Sequence, residues 1–315
     1  MKLEDLFNYQ NLYRSYLKAR KGKRHKDEVI LFGLNLEENL LTIENDLIKG
    51  TYQFDGYKSF KIYEPKERLV EYISFKDRII QHCLVDYYLT PLLERHLIFD
   101  NASCRKKKGT DFARRRIRIF LNHYYCENRT NTGYVLKFDI HQFFPSINHE
   151  RLKEKLGRII EDKEILLFLF RIIDEYGSKG LPIGNQTSQC FGLLYLDEVD
   201  RLIKERFSMK YYSRYMDDGI VISKDKEILI RLHKGIGSVL EKDGLTYNPK
   251  TRIASLKEGF EYLGFYFRMN SKGKISMRIP AKKKQRMKHY LQKRLKMDST
   301  YDPSALLGYL SKEKR

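Results

Sequence analysis

The spacing of apolar and polar residues predicts helices over residues 1–55 of the 315-residue chain and again from Ser74 onward. Residues 1–55 place apolar positions among mixed charges, a pattern typical of helices that face solvent on one side. Ser74 and Asp77 have capping-box spacing and apolar residues follow at helical intervals, so a helix is predicted to begin at Ser74. Pro91 is predicted to kink or end this helix, because proline lacks the N–H that a helix interior needs.

An apolar run at Tyr134–Asp139 predicts a buried strand that ends in a carboxylate. Residues 150–176 are rich in Ile and Leu and predict helices, and residues 180–184 predict a loop. Ser188 is a candidate cap for a helix that reaches about Phe207.

Two strand-like runs, Tyr211–Tyr215 and Ile220–Ser223, flank the sequence Met216-Asp217-Asp218-Gly219. Because Asp-Gly between alternating apolar residues is a strong hairpin signal, we predict a hairpin with an Asp-Gly turn at this point.

The last third of the chain continues the mixture of helices and strands. An amphipathic helix is predicted at 228–242, a hairpin formed by 260–267 and 274–279, and a basic helix at 282–296. Strands and helices do not alternate in regular β-α-β units, so an α+β fold with an antiparallel sheet is expected.

The chain carries 61 Lys and Arg against 41 Asp and Glu, a formal net charge of +20. Such a charge indicates a polyanionic partner, and nucleic acid fits better than a membrane, since no apolar run is long enough to cross a bilayer. The four cysteines form no C-x-x-C pair, so neither a zinc site nor a disulfide framework is predicted. The N-terminus is charged and lacks the apolar core of a signal peptide. Together with the scattered cysteines and the absence of a long apolar run, this predicts a cytoplasmic protein without a membrane partner.

Three carboxylates carry the strongest chemical signal. Asp217 and Asp218 are neighbours in the predicted hairpin turn, where they repel each other unless a cation binds. A solvated turn explains that pair almost as well, and a lone Asp139 at a strand end is usually a cap. Together, however, the three carboxylates are the ligands that phosphoryl transfer by two Mg²⁺ ions requires. The Ile140 carbonyl oxygen is a further candidate ligand, and Mn²⁺ is a possible substitute for Mg²⁺.

These residues resemble the palm motifs of reverse transcriptases. The resemblance lies in Tyr-Met-Asp-Asp at 215–218 and Phe-Asp-Ile-His-Gln-Phe-Phe at 138–144, and the ordered match runs from about residue 55 to 268. Asp77–Gln81 resembles the fingers helix of group II intron and related bacterial enzymes. Asn248–Thr251 resembles the motif whose Lys lies near the departing pyrophosphate, and Tyr262–Gly264 resembles the primer grip.

The resemblance implies a right-hand polymerase fold with fingers, a palm of antiparallel sheet plus helices, and a small helical thumb. The implied domains are an N-terminal helical extension at 1–55, fingers at 56–133 with parts of 150–180, a palm at 134–149 and 181–268, and a thumb at 269–315.

The implied activity is RNA-directed DNA polymerisation, with template RNA, primer or cDNA, and dNTPs as partners. Asp139, Ile140, Asp217 and Asp218 would hold the metals, and Lys250 would protonate pyrophosphate. Contacts to the dNTP are implied for Lys66, Arg68, Phe144, Ile183 and Gly184. Template or primer contacts are implied for Arg78, Arg105, Lys108, Gln189, Tyr215, Met216, Tyr262, Leu263, Gly264, Lys284 and Arg286.

The loop Ile183-Gly184-Asn185-Gln186-Thr187-Ser188-Gln189 is similar to that of reverse transcriptases from diversity-generating retroelements of bacteria and phages. Those enzymes copy a template RNA with errors at adenines and help to rewrite a variable gene, a process called mutagenic retrohoming. Retroviral and intron enzymes carry Gln where Ile183 stands. A retron or phage-defence enzyme is the alternative, although the Val-Thr-Gly signature of retrons is absent.

Two residues of the implied dNTP site have a physical interpretation. An aliphatic Ile183 cannot donate the hydrogen bond that an amide would give the nucleotide, so it is expected to lower fidelity. The Phe144 ring is expected to exclude a 2′-OH and so to restrict the product to DNA. Each residue could instead simply pack in the protein, Ile183 beneath the nucleotide and Phe144 in the core, although Phe143 is the better core candidate.

Family members of the favoured type work with a small basic accessory protein, which is therefore an implied partner. Because a chain of +20 repels a basic protein, we expect RNA to bridge the two. The alternative from another class is an RNA-binding, maturase-like scaffold without catalysis.

Overall fold

The computed structural model of the chain describes residues 2–63, 68–297 and 302–311. The chain forms two compact units. The first contains Met1–Phe99, Ile140–Arg201 and Gly237–Asn248, and the second contains Asp100–Asp139, Leu202–Ile236 and Pro249–Arg315. Each unit is therefore assembled from segments that are distant in sequence.

Helices and strands follow one another along the whole described chain. The helices are α1 (Leu3–Leu6), α2 (Tyr9–Ala19), α3 (Asp27–Leu34), α4 (Leu36–Ile48), α5 (Phe75–Leu84), α6 (Thr90–His96), α7 (Thr110–Asn128), α8 (Phe143–Ser146), α9 (His149–Gly157), α10 (Lys163–Asp174), α11 (Gln186–Tyr195), α12 (Asp197–Arg201), α13 (Lys226–Lys242), α14 (Ala281–Met297) and α15 (Ser304–Ser311). The strands are β1 (Tyr57–Ile62), β2 (Arg68–Ile73), β3 (Tyr134–Phe138), β4 (Tyr211–Tyr215), β5 (Asp218–Ser223), β6 (Arg252–Ser255), β7 (Phe260–Tyr262), β8 (Phe265–Met269) and β9 (Ile275–Arg278).

In the first unit, α1 to α4 confirm the helical prediction for the N-terminal residues, and β1 pairs antiparallel with β2. The predicted start of α5 is also confirmed, because Ser74 Oγ accepts a hydrogen bond from the Asp77 N–H at 3.3 Å. The serine hydroxyl also donates to Asp77 Oδ2 at 2.9 Å, so both side chains hold the first turn.

The prediction that Pro91 ends the helix is wrong, whereas a kink at this proline stays a prediction. A π-helical turn at Val85–Leu89 follows α5 directly and leads into α6, in whose first turn Pro91 lies. The backbone stays helical through Leu89 and Thr90, so Pro91 lies inside a continuous helical segment, and the irregular hydrogen bonding that its missing N–H imposes coincides with the π-helical turn directly before it. The helical segment therefore continues to His96.

The predicted cap of α11 was wrong. The helix begins at Gln186, after Asn185, and Ser188 is a buried residue of its first turn. The helix does not run unbroken to Phe207 either, because it is followed by α12 and then by a π-helical turn at Leu202–Arg206.

The second unit contains a four-stranded sheet in the order β4-β5-β3-β6 and a separate three-stranded sheet, β7-β8-β9. The strands of the first sheet pair antiparallel, which confirms the predicted antiparallel sheet. The region predicted as one hairpin from 260 to 279 thus has three strands. The extra turn lies at Leu263 and Gly264, whose φ values of 44° and 80° are both positive. Positive φ at both central residues is the pattern of a tight hairpin turn.

The hydrophobic core of the second unit joins α7 to both sheets. It is built from buried residues that include Ile117, Phe120, Val135, Ile222 and Phe267. The mixed helix and sheet composition confirms the predicted α+β class. No helix in the described ranges is both long and apolar enough to cross a membrane.

Candidate active site

Asp139 follows the last residue of β3, and Thr251 fixes its backbone. The Asp139 N–H donates to Thr251 Oγ1 at 3.1 Å, and the Thr251 hydroxyl donates to the Asp139 carbonyl oxygen at 3.2 Å. Thr251 immediately precedes β6, which pairs with β3. Sequence reasoning did not assign this role to Thr251, because nothing in the local pattern shows which backbone its hydroxyl meets.

The hairpin that carries the other two carboxylates turns two residues earlier than predicted. Tyr215 pairs with Asp218, so the two turn residues are Met216 and Asp217 rather than Asp218 and Gly219. Met216 has a φ of 55°, in the left-handed region that the first position of such a turn requires. Asp217 thus lies at the tip, and Asp218 is the first residue of β5.

Gly219 lies inside the strand, where packing rather than the turn requires a glycine. It pairs with Phe138 of β3, and a Cβ at this position would overlap the Phe138 ring. That ring also stacks on Tyr212, with centroids 6.4 Å apart. The absence of a side chain at Gly219 lets β3 and β5 approach closely beside the carboxylates.

The register of the sheet brings Asp139 beside the hairpin carboxylates. Phe138 pairs with Gly219, so the next residue along β3, Asp139, lies across from Asp218. Asp139 also lies close enough to Asp217 to contribute to the raised pKa of that carboxyl. All three acidic residues singled out from the sequence therefore meet within the second unit.

The electrostatics of this cluster disfavour three negative charges. Burial raises the pKa of Asp218 to about 7; Lys137 opposes that rise, and the charges of Asp139 and Asp217 add to it. Burial likewise raises the pKa of Asp217 to about 6, and the charge of Asp139 contributes. The Lys137 ammonium, whose Nζ is 3.8 Å from Asp218 Oδ2, supplies too little positive charge to balance the cluster.

The Arg214 side chain stabilises the β4–β5 turn through a hydrogen bond. Its side chain is fully buried, and Nη1 donates to the Met216 carbonyl oxygen at 2.7 Å. The Arg214 backbone N–H donates to the Asp100 carbonyl oxygen at 3.1 Å. A buried guanidinium needs such partners to offset the loss of water, and its positive charge lowers the pKa of Asp217. Sequence reasoning missed this residue, although an Arg within the apolar strand was a visible signal.

The donor set suits a hard divalent cation. The Oδ1 atom of Asp218 is buried without a hydrogen-bond partner, which is costly unless a cation or a proton occupies it. In the described ranges, no three Asp, Glu, His or Cys side chains form a complete metal site by themselves. Magnesium does not need such a cage, because it typically uses one or two carboxylates together with water and substrate phosphates.

A cleft of about 290 Å³ lies beside the cluster on the same unit and contains Lys250. Its lining combines basic side chains with one carboxylate and apolar walls: Val135, Lys137, Pro249, Lys250, Arg252, Ala254, Phe260 and Glu261. The structure thus places Lys250 in the same cleft as Lys137, the ion-pair partner of Asp218.

The β7–β8 turn, which contains the candidate primer-grip residues, packs against the C-terminal helices. Tyr262 is fully buried. At Gly264, the carbonyl oxygen accepts a hydrogen bond from the Tyr309 hydroxyl at 3.3 Å, and the same hydroxyl accepts one from Lys283 Nζ at 2.9 Å. A Cβ at Gly264 would meet only the tips of these two flexible side chains, so the φ of 80°, rather than the contacts, favours glycine at this position.

The remaining candidates of the second unit range from exposed to buried. Arg105 donates to the Asn101 carbonyl oxygen at 3.1 Å, and Lys108 lies over the Phe112 ring, 5.2 Å from its centroid. Lys284 is half-buried on α14, and Arg286 is exposed. Tyr215 is half-buried, and Met216 is buried at the turn.

Several candidates belong to the first unit. Ile140 is buried and pairs with Tyr247, whereas Phe144 is half-buried, with its ring centroid 5.2 Å from that of the buried Phe143. Phe143 is therefore the core residue of the pair, as predicted. Arg78 is half-buried on α5.

The end of the loop before α11 and the first turn of that helix are each tied to the rest of the first unit by a hydrogen bond. Asn185 Nδ2 donates to the Tyr57 hydroxyl at 3.3 Å, and the buried Thr187 hydroxyl donates to Gln81 Oε1 at 3.1 Å. Next to these anchors, Ile183 is 45% exposed and Gly184 is exposed, so neither belongs to the core.

Three other candidates of this unit complete the set. Gln189 is half-buried on α11, and Arg68 is the first residue of β2. Lys66 lies outside the described residues.

The sequence and fold were compared with known proteins. The family model described as "Reverse transcriptase (RNA-dependent DNA polymerase)" matches residues 60–267. Protein YkfC of Escherichia coli K12 is 22% identical over 276 residues, which cover 73% of this chain and 71% of that protein.

Solved telomerase structures share the fold. Apo telomerase from Candida tropicalis, truncated from the C-terminal domain, superposes with a TM-score of 0.53 at 17% identity, covering 71% of this chain and 55% of that one. Telomerase from Candida albicans, in complex with a fragment of telomeric RNA, gives 0.55 at 13% identity, covering 73% and 46%. The chain thus spans about half the length of these structures, and the similarity confirms the right-hand polymerase fold predicted from the sequence.

Proposed function

The chain belongs to the reverse transcriptase family of RNA-dependent DNA polymerases, and from this premise we propose that it copies template RNA into DNA at the Asp139, Asp217 and Asp218 cluster. The observation that carries the proposal is the electrostatics of that cluster. Burial and mutual repulsion raise the pKa of Asp217 and Asp218, and Asp218 Oδ1 has no hydrogen-bond partner. A cation would relieve both costs.

The proposed metals are Mg²⁺ ions, for which Mn²⁺ could substitute. Asp139, Asp217 and Asp218 would hold them, with the Ile140 carbonyl as a further oxygen donor. When bound, the ions would supply positive charge that favours attack by the primer hydroxyl and departure of pyrophosphate.

The chain's own residues have distinct proposed tasks in the reaction. The primer 3′-oxygen forms a bond to the α-phosphorus of the dNTP, its proton passes to water, and the bond from that phosphorus to pyrophosphate breaks. Lys250 would donate a proton to the departing pyrophosphate, since it lines the cleft beside the carboxylates. Lys66 and Arg68 would bind the triphosphate. Fingers, palm and thumb would have the boundaries predicted from the sequence.

Phe144 and Gly184 are proposed to border the sugar and base of the incoming nucleotide. The half-buried Phe144 ring would exclude a 2′-OH, so that dNTPs are selected. The proposed template and primer contacts remain Arg78, Arg105, Lys108, Gln189, Tyr215, Met216, Tyr262, Leu263, Gly264, Lys284 and Arg286.

The finer proposal is a diversity-generating retroelement enzyme with an error-prone product and a small basic accessory protein. Its support is the Ile-Gly-Asn loop and the 45% exposure of Ile183, which argues against a role for Ile183 in the core. Sequencing of cDNA made by the wild type and by Ile183→Gln tests the fidelity role. We expect fewer errors at template adenines in the variant, and an unchanged error spectrum would remove this support.

A second candidate function is an RNA-binding scaffold without catalysis, favoured only by the large positive charge. RNA binding and dNTP incorporation measured on the same protein sample separate the two functions. The polymerase proposal predicts incorporation by the wild type and retained RNA binding without incorporation by Asp217→Ala. Binding without incorporation by the wild type, even with accessory protein and native RNA, would favour the scaffold.

A further inference from the structure

One segment of the first unit has the opposite charge to the rest of the chain. Residues 27–48 contain six acidic residues and no Lys or Arg, within a chain of net charge +20. Four of these acidic residues (Asp27, Glu28, Glu37 and Glu38) are exposed. Within the part of the chain that the structure describes, no ion pair neutralises Glu37 or Glu38. The segment is therefore an acidic region on a basic protein.

The same segment exposes large aliphatic side chains. Leu31 is 65% and Leu34 is 73% exposed on α3, and Ile30 lies on the same face at helical spacing. Leu41 and Ile48 of α4 are also exposed. A groove of about 560 Å³ runs between Leu34 and Leu41, with Glu37 and Glu38 in its wall.

These exposed residues are not the core-facing residues of their helices. Val29 of α3 and Leu40, Ile43 and Leu47 of α4 are buried and already fill the inward positions. The two helices therefore carry apolar residues on an outward face as well. A cluster of exposed aliphatic side chains with a polar rim is typical of a protein-binding surface.

We propose that this outward face, formed by Ile30, Leu31, Leu34 and Leu41 with Glu37 and Glu38, docks a partner protein that presents basic side chains around an apolar ridge. Carboxylates on the rim repel RNA phosphates and anionic lipids but attract Lys and Arg. The Debye length at physiological salt is about 8 Å, so the local charge governs the contact more than the net charge of the chain does.

This inference goes beyond the polymerase proposal and changes one expectation drawn from the sequence. The net charge led to the expectation that RNA bridges the chain and a small basic accessory protein. An acidic, apolar face on α3 and α4 removes that requirement, because a basic partner can contact it directly.

The test uses the full chain and a fluorescent helical peptide of about five turns that consists of a Leu stripe flanked by Lys. Anisotropy titrations compare the wild type with L31S/L34S and with E37K/E38K. We expect saturable binding to the wild type, weakened at least about ten-fold by each double variant. The matched controls are Leu167→Ser, at a 61% exposed leucine of α10, and E161K/E164K, which reverses two exposed charges around the start of that helix.

The proposal requires the controls to bind the peptide within about two-fold of the wild type and a Glu-flanked peptide to bind far more weakly. It is overturned if the wild type does not bind the Lys-flanked peptide, or if either double variant binds it like the controls. It is also overturned if the wild type sediments as a dimer that L31S/L34S converts to a monomer, since a second copy would then cover the face. Primer extension by the same samples separates this outcome from a failure of the polymerase proposal.

Discussion

At the scale of single residues, the position of the carboxylates depends on two neighbours that carry no charge. Phe138 precedes Asp139, and Gly219 follows Asp218. The two residues pair in adjacent strands, and the Phe138 ring fills the space that a side chain at position 219 would need. A small change here should therefore disturb both the stability of the sheet and the alignment of the acidic residues.

We predict that Gly219→Ala destabilises the protein by about 1–3 kcal/mol, the range expected for overpacking a filled core. Chemical denaturation followed by circular dichroism measures the change. Gly235→Ala is the matched control, because its Cβ would meet Leu202 and Phe207 at 3.5 Å, an ordinary contact, within a helix. The control should be neutral or stabilising by about 0.5–1 kcal/mol, and equal effects of the two substitutions would contradict this account.

Phe144 provides a prediction about substrate choice. If its ring excludes the 2′-OH, Phe144→Ala should incorporate ribonucleotides at least about ten-fold better relative to dNTPs. The measurement is single-nucleotide extension with rNTP and dNTP in parallel, with Phe144→Tyr as the variant that keeps the ring. Unchanged discrimination in Phe144→Ala would assign the gate to another residue.

The acidic residues of the site could be predicted from sequence, but their supporting residues could not. Asp139, Asp217 and Asp218 stand at the ends of apolar runs, where a strand pattern exposes them. Thr251 and Arg214 act through partners that only the fold supplies, the Asp139 backbone and the Met216 carbonyl. The functions of such residues depend on tertiary contacts, which a local pattern does not contain.

At the scale of elements, the β4–β5 hairpin contains two carboxyl groups, Asp217 and Asp218. Their burial in the folded protein disfavours the charged form of each. Burial raises the pKa of Asp217 to about 6 and that of Asp218 to about 7, whereas both groups titrate near 4 in an unfolded chain. Between those values the native protein binds more protons than the unfolded chain. The free energy of unfolding of the metal-free protein should therefore fall as the pH rises from about 4 to 7.

We predict a decrease of up to about 1.4 kcal/mol per pH unit for each carboxyl that titrates in this window. Urea denaturation in the presence of EDTA at a series of pH values measures the slope. Asp218→Asn should flatten it and raise the stability near neutral pH, because an amide carries no buried charge. A wild-type stability that rises with pH over the whole window would contradict the assignment.

The elements themselves were predicted better than their turns. Helical spacing correctly indicated α5, α9, α10 and α13, and apolar runs correctly indicated β3, β4 and β5. The turn at Met216 and Asp217 was misplaced because an Asp-Gly pair is the stronger local signal, whereas Gly219 is required by the Phe138 ring. The turn at Leu263 and Gly264 was missed because Leu263 adopts a positive φ, which a leucine in the sequence does not indicate.

At the scale of the whole molecule, the positive charge is unevenly distributed. The helix α14 carries Lys282, Lys283, Lys284, Arg286 and further basic residues, whereas residues 27–48 carry only acidic ones. Because binding to nucleic acid phosphates releases counterions, the basic surfaces should determine how strongly salt weakens RNA binding.

The salt slope is the slope of the logarithm of the RNA-binding constant against the logarithm of the salt concentration, and each neutralised phosphate adds about 0.7 to 0.9 to its magnitude. We predict that K284A/R286A, which removes two positive charges, lowers this magnitude by up to about 1.4 to 1.8. Filter binding over a series of salt concentrations provides the slope. The control variant K2A/K49A removes two exposed lysines of the N-terminal helices and should leave it unchanged. Equal slopes for both variants and the wild type would exclude α14 from the RNA-binding surface.

The central claim is that Asp139, Asp217 and Asp218 form the metal-binding centre of an RNA-templated DNA polymerase. The measurement that tests it most directly is Mg²⁺-dependent extension of a primer on RNA by the wild type and by Asp139→Asn, Asp217→Asn and Asp218→Asn. Asp225→Asn is the matched control, because it removes a carboxylate from the same unit while an amide can still cap α13. We predict extension by the wild type and the control, and a loss of at least about a thousand-fold in each of the other three. Extension at the wild-type rate by any folded variant of the three would contradict the claim.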